Sequence, residues 1–186
     1  LKAALEAFDN VKGYSLENNF LGMFNGTNEN SKESVFELQF TLDRSNGARY
    51  YTELHYWIAS EEIGGWDEIS PSDKLVTELK KEGKTSLSDT YDMRCYATLI
   101  FDDEYFMSGN KIFGQNYDDY FTTNRRAVFR KFLPDYSDID QEESGFNIPL
   151  MRYSNVLLMK AEVLNELKRS SEAVTLINDI RLVHGN

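Results

Sequence analysis

The chain has 186 residues, 41% of them apolar, and a formal net charge of −11. That is enough apolar material for a packed core rather than a disordered chain. The negative balance, with no dense Lys/Arg run, argues against nucleic acid as the main partner and against a polybasic grip on anionic lipid.

Cys95 is the single cysteine, which rules out a disulfide within the chain and a cysteine-rich metal site. No apolar run approaches the roughly 20 residues needed to span a bilayer as a helix. The sequence opens LKAALEAFDNV, without Met and already in helical register, and stops at Asn186 as a second helix ends. It therefore reads as a piece of a longer protein, and missing targeting signals say nothing about location.

Residues 1–12 form the first predicted element. Ala4, Leu5, Phe8 and Val11 share one stripe at helical spacing, and Gly13 can supply a left-handed cap. An Asn- and Gly-rich loop follows. Its Asn25-Gly26-Thr27 fits a glycosylation sequon but reads as a turn. SVFELQFTL is the clearest strand: Phe36, Leu38, Phe40 and Leu42 alternate with Glu37, Gln39 and Thr41, which predicts an apolar face buried and a polar face wet. Ser45-Asn46-Gly47 is a predicted turn. YYTELHYWIASEEIGGW is dense in aromatics and ends in two glycines, and reads as a long irregular segment.

A helix then follows, with Ser70 as N-cap, Pro71 at the first position and Asp73 at the third. Leu75, Val76 and Leu79 are its inner stripe and Gly83 its end. A strand is expected from Tyr96 to Phe101, a loop with Gly109 and Gly114 as breakers after it, and a short strand in AVFRKFL. DYSDIDQEESG reads as an acidic loop.

The last segment, residues 148–186, reads as a helix pair, with Arg152 to Leu167 and Ser171 to Val183 as the two helices. Ala161 and Ala173 are small residues on opposite helices, and so allow a close approach of the backbones. Their spacing fits a tetratricopeptide helix-turn-helix unit; a generic helical hairpin is the alternative.

MRYSNVLLMKAEVLNELKRSSEAVTLINDIR, within that pair, resembles the C-terminal motif of the SusD/RagB family. Arg152, Tyr153, Val156, Leu157, Leu158, Ala161, Glu162, Asn165, Glu166, Ala173, Ile177, Asn178 and Arg181 match it, while Ser154-Asn155 depart from the usual Ala-Glu. ESVFELQF, PSDKLVTELKKEGK and DMRCYATLIF resemble further family segments in the expected order, and LKAALEAFDNVKGYSL resembles the helix before them. The resemblance implies a mainly α, partial SusD-like fold: tetratricopeptide-type helix pairs, a few short strands and a loop-rich ligand-facing region over residues 13–147. It also implies a cell-surface glycan-binding lipoprotein of the bacterial outer membrane. Such a protein would be anchored by lipid outside this piece, would deliver ligand to a SusC-like TonB-dependent transporter, and would need no cofactor. No ligand position of the family transfers by motif.

The residues themselves offer little for catalysis. His55 and His184 are the only histidines. Cys95 lies in an apolar strand-like run and reads as a structural thiol. No Gly-x-Ser-x-Gly elbow, phosphate loop or His-Glu-x-x-His motif is present. Loop carboxylates such as Asp102, Asp118, Asp119, Asp138 and Asp140 read as solvated charge, and the sequence alone does not give the defined separation a glycosidase pair needs. Calcium in DIDQEE is disfavoured, because Glu143 stands where an EF-hand needs glycine.

The aromatics are the best ligand candidates, because flat rings complement the apolar C–H faces of sugars. Trp66, after Gly64-Gly65 and before Asp67, leads, with Trp57, Tyr56 and Asp67 beside it. Tyr117 and Tyr120 in NYDDYF come second. One of the two indoles is expected in the core. A glycoside hydrolase and a protein-binding tetratricopeptide scaffold are the competing function classes.

Overall fold

The computed structural model describes residues 1–45, 47, 49–134 and 142–185. Eight helices and four short strands occur among them: α1 (Lys2–Asp9), β1 (Ser34–Leu38), α2 (Leu54–Ile58), α3 (Asp73–Lys80), α4 (Met93–Thr98), β2 (Leu99–Ile100), α5 (Glu104–Met107), α6 (Tyr117–Tyr120), β3 (Val128–Phe129), β4 (Ile148–Arg152), α7 (Tyr153–Glu166) and α8 (Ser170–His184). No helix is long and apolar enough to cross a membrane among those residues. Residues 135–141 of the acidic loop, and with them the first four residues of the calcium segment, lie outside the described residues, as does Asn46 of the predicted turn.

The closing pair packs as its small residues require. Ala161, Leu164 and Ala173 are buried together, with Leu5 of α1 and Leu176 against them. Lys168, at φ +62°, makes the reversal between α7 and α8, and the Arg169 amide donates to the Leu164 carbonyl at 2.9 Å. The first helix of the pair starts at Tyr153, one residue from its expected position, and the residues of the segment before it are not helical. Residues 148–152 extend as β4 and pair antiparallel with β1, with Phe36 opposite Met151 and Leu38 opposite Ile148.

That pairing inverts the expected strand. Phe36 (55%), Leu38 (40%) and Leu42 (45%) are exposed, whereas Glu37 (8%) and Glu33 (0%) are buried. Alternation fixes which residues share a face, but it does not say which face the rest of the molecule covers. Here the covered face carries carboxylates with dedicated partners. Glu37 accepts the Asn30 amide at 3.0 Å and the Asn147 side-chain amide at 3.3 Å. Glu33 accepts Arg152 Nη1 at 3.0 Å, the Glu17 amide at 2.7 Å, and hydrogen-bonds His184 Nε2 at 2.8 Å. Gly145 lets a second backbone approach this region, since a Cβ there would lie 2.9 Å from the Leu42 amide nitrogen.

The main core lies between residues 56 and 133. Tyr96, Phe101, Phe106, Tyr117, Phe121, Leu99 and Ile100 are fully buried in it. Tyr96 stacks on Phe101 (5.4 Å) and on Tyr105 (3.9 Å), and Phe106 meets Phe101 edge-on. Such ring geometry adds about 0.5–1.5 kcal/mol per pair beyond area burial. The strand expected over 96–101 is half helix: 96–98 complete α4, capped by Asp92, whose carboxylate accepts the Arg94 amide at 2.9 Å. Only Leu99–Ile100 are extended, paired with β3. In α3 the N-cap is Ser72, two residues later than predicted, and its hydroxyl accepts the Leu75 amide. The segment expected to be irregular around residue 55 contains α2 and a short 3-10 turn over Glu61–Ile63, and NYDDYF contains α6.

Candidate functional site

The segment from Leu54 to Ile69 folds back on itself. After α2 the chain extends through Ala59, turns at Glu61–Ile63, and reverses at Gly64, φ +95°. Gly65 then passes so close to Ala59 that a Cβ would lie 2.3 Å from its carbonyl oxygen. Any side chain there would force the loop open. Backbone bonds close the ring: Trp66 N–H to the Tyr56 carbonyl (2.8 Å), Asp67 N–H to Ala59 (2.9 Å), and the amides of Glu68 and Ile69 to Trp57 (3.0 and 3.1 Å).

This closure brings the two indoles together. Trp57 and Trp66 have ring centroids 6.4 Å apart and planes inclined by 48°. Both stay outward, 46% and 40% exposed, so neither indole goes into the core as expected. Tyr56 is the buried support behind them, edge-on to Trp66 at 5.3 Å. Beside Trp57 an open groove runs along Tyr51, Thr52, Glu53 and Leu54.

Asp67, also at positive φ (+56°), sits on the rim. Its carboxylate receives Arg126 Nη2 at 2.5 Å and the Ser70 hydroxyl at 3.2 Å. Arg126 also holds Glu62, through Nε at 3.2 Å and Nη2 at 2.7 Å. One guanidinium thus joins the two carboxylates that flank the indoles. Burial pushes the Glu62 carboxyl upward, but the hydrogen bonds from Arg126 and the Arg126 charge outweigh it and hold it below the usual glutamate value. A glycosidase general acid needs a raised carboxyl; Glu62 is displaced the other way, and Asp67 is engaged by the same arginine.

The second candidates separate from this platform. Tyr117 is fully buried, stacked on Phe121 at 4.5 Å, so it does not reach the ligand surface expected of it. Burial pushes its phenol up to about 12. Its hydroxyl donates to the Arg126 carbonyl at 2.8 Å, so Tyr117 positions the arginine that holds Asp67. Tyr120 is half-buried against the main core. Arg126 is inconspicuous in the sequence. The only local signal is the Arg125-Arg126 pair in an otherwise acidic chain, and its partners lie about sixty positions away.

Cys95 is buried, and burial pushes its thiol up to about 11. It is therefore protonated and unreactive at neutral pH. Among the described residues no group of three or more His, Cys, Asp or Glu is arranged to hold a metal ion.

A family model described as the SusD family matches residues 32–182. Solved structures share the fold. A SusD superfamily protein from Bacteroides vulgatus superposes with a TM-score of 0.74 at 23% identity, over 97% of this chain and 38% of its own. A SusD-like carbohydrate binding protein from Bacteroides fragilis gives 0.67 at 21%, over 99% and 41%. Surface glycan-binding protein A from Bacteroides thetaiotaomicron, in complex with laminarihexaose, gives 0.63 at 17%, over 97% and 41%. The chain spans about two-fifths of the length of these structures. No curated protein matches the sequence.

Proposed function

The chain belongs to the SusD family, and from that premise we propose that it captures a neutral glycan at the bacterial cell surface by stacking sugar rings on Trp57 and Trp66, without breaking bonds. The observation that carries this is the closed loop holding two outward indoles beside two carboxylates held in place by Arg126. The rings offer apolar faces to sugar C–H groups, and Asp67 and Glu62 keep lone pairs for hydroxyls. Because the loop is fixed by its own backbone bonds, little ordering cost falls on binding. A structural relative is a glycan-binding protein in complex with laminarihexaose, which supports a glycan as the ligand class. In this reading no cofactor takes part. The protein is held at the outer membrane by a lipid anchor and passes its ligand to a SusC-like TonB-dependent transporter.

The reading is tested by retention of the protein on a panel of polysaccharide gels followed by calorimetry, with Trp66→Ala and Trp57→Ala alongside. Retention of intact glycan, weakened by Trp66→Ala, supports it. Release of shorter oligosaccharides would replace it with a hydrolase. Retention that survives both substitutions would move the site elsewhere. Binding to the transporter but to no glycan would favour a protein-interaction scaffold.

A further inference from the structure

Phe20 marks a second region, built quite differently. Several cationic or imidazole groups converge on its ring. Lys131 Nζ lies 5.6 Å from the Phe20 centroid and 3.9 Å from that of Phe24. The Arg152 guanidinium carbon lies 5.3 Å from Phe20, and the His184 ring 5.0 Å from it. Next to these groups is a cavity of about 220 Å³ with Phe20, Leu21 and Met93 as its apolar wall and Asn18, Asn19, Tyr105, Arg130 and His184 around it. A water-sized cavity of about 30 Å³ adjoins it, sharing Leu21 and Arg130 and adding Lys111.

The charges here do not balance. Two buried carboxylates lie near the cavity: Glu33 is taken by Arg152 and His184, and Asp103, behind Tyr105, accepts the Tyr105 amide at 3.0 Å and pairs with Lys84. On the rim, Glu17 accepts the Asn19 amide at 3.4 Å. Among the described residues no carboxylate lies within ion-pair distance of Lys111, Arg130 or Lys131, whereas Arg125, Arg126 and Arg152 all have one. Arg130 spends one N–H on the Tyr96 carbonyl at 3.2 Å, and a guanidinium has five N–H donors to offer. Burial, and next the charge of Arg152, pull the Lys131 ammonium down to about 8, as befits a desolvated cation without a counter-charge. In a chain of net charge −11, a local positive excess at a concave, partly apolar site calls for an anion.

We propose that this cavity is a second ligand site, separate from the indole platform, which takes one hydroxylated carboxylate the size of a single sugar ring, a hexuronate being the simplest member. The carboxylate meets the Arg130 guanidinium, a planar donor matched to it. The side chains of Asn18, Asn19 and Tyr105 supply hydrogen-bonding partners for hydroxyls, and Phe20 supplies a ring face. An uncharged sugar of the same shape leaves Arg130 without an anion and binds more weakly.

The test is calorimetric titration of the protein with sodium glucuronate, glucose and sodium sulfate at matched ionic strength, with Arg130→Gln, Arg130→Lys and Trp66→Ala as variants. Saturable glucuronate binding is expected, weakened at least tenfold by Arg130→Gln, weakened less by Arg130→Lys, and unchanged by Trp66→Ala. Glucose should bind at least tenfold more weakly than glucuronate. If Arg130→Gln fails to fold for want of the Tyr96 contact, Tyr105→Phe, which keeps the ring stack on Tyr96, should still weaken glucuronate severalfold. The proposal is overturned if glucose binds as well as glucuronate, if sulfate competes fully at equal concentration, or if Trp66→Ala abolishes the signal. Absence of saturable binding in the millimolar range would mean that the cationic groups are satisfied within the protein itself, and would also overturn it.

Discussion

The aromatic core between residues 56 and 133 and the sheet formed by β1 and β4 bury opposite kinds of side chain. The core buries rings: Tyr96, Phe101, Phe106, Tyr117 and Phe121 lie wholly inside, where dispersion and apolar area stabilise them. The sheet buries Glu33 and Glu37 and leaves Phe36, Leu38, Leu150 and Met151 at least 37% exposed. The first region tolerates any partner that fills space. The second tolerates only partners that donate hydrogen bonds, because a buried carboxylate without them costs several kcal/mol. Stability in one is spread over many contacts, and in the other it hangs on a few named pairs. Glu33 is the extreme case, tying the chain near Glu17, the start of α7 through Arg152 and the end of α8 through His184.

The largest effect is expected at Phe106. Phe106→Ala should cost about 3–5 kcal/mol in denaturant unfolding, for lost transfer energy plus the cavity left behind. A cost below about 1 kcal/mol would mean the ring core collapses freely and is less close-packed than its geometry implies.

Glu33→Gln should cost about 3 kcal/mol, since it leaves the mostly buried Arg152 without its counter-charge. The pH dependence has a definite sign. Burial pushes the Glu33 carboxyl up, but the hydrogen bonds of His184 and the Glu17 amide outweigh it and hold it below the usual glutamate value. Burial pulls Arg152 down more than Glu33 lifts it, yet a guanidinium stays charged throughout the range. A depressed carboxyl contributes stability that is complete above its unfolded value and is lost as pH falls through the folded one. Acid unfolding of the unsubstituted chain should therefore steepen below pH 4.5. Glu33→Gln should lack that part of the slope, and an identical acid limb in both would remove Glu33 from the account.

On the ligand side, Trp66→Ala should weaken glycan binding by about 2 kcal/mol, roughly thirtyfold, as a central aromatic contact does. Tyr117→Phe should act indirectly: it removes only the hydroxyl bonded to the Arg126 carbonyl, so about 1 kcal/mol of stability is expected to go, with a smaller loss of binding than for Trp66→Ala. The smallest effect belongs to the inverted strand. Phe36→Ser should change stability by no more than about 0.5 kcal/mol, as exposed substitutions do. A cost above about 1.5 kcal/mol would show that the outer face of β1 is covered in the protein as it works.

Much of the helical pattern was legible in the sequence, because a helix depends on neighbours three and four positions apart. The α1 stripe, the α7–α8 pair and the meeting of Ala161 with Ala173 follow from that spacing. Caps were legible only to within a residue or two, as Ser72 in place of Ser70 illustrates, since several hydroxyls compete and the final turn is chosen by packing. The indole site was partly legible. Trp57, Trp66 and Asp67 could be picked out from composition and the Gly pair, and the loop closure that joins them is local.

Arg126 was not legible, because the pairing that makes it matter spans 59 to 64 positions and no local spacing encodes it. Tyr117 looked like a surface ring because its neighbours are polar; packing from distant segments turned it inward. The cationic cavity around Phe20 is wholly a product of tertiary structure, drawing Asn19, Met93, Arg130 and His184 from four separate segments. By itself the sequence determined the longer helices and the shared faces of the strand residues, which rest on short-range periodicity, and its motif resemblance implied the class of the fold. Which strand face is buried, which carboxylates are neutralised and which cations stay unpaired were decided by the tertiary structure, because burial and charge pairing depend on what lies across space rather than along the chain.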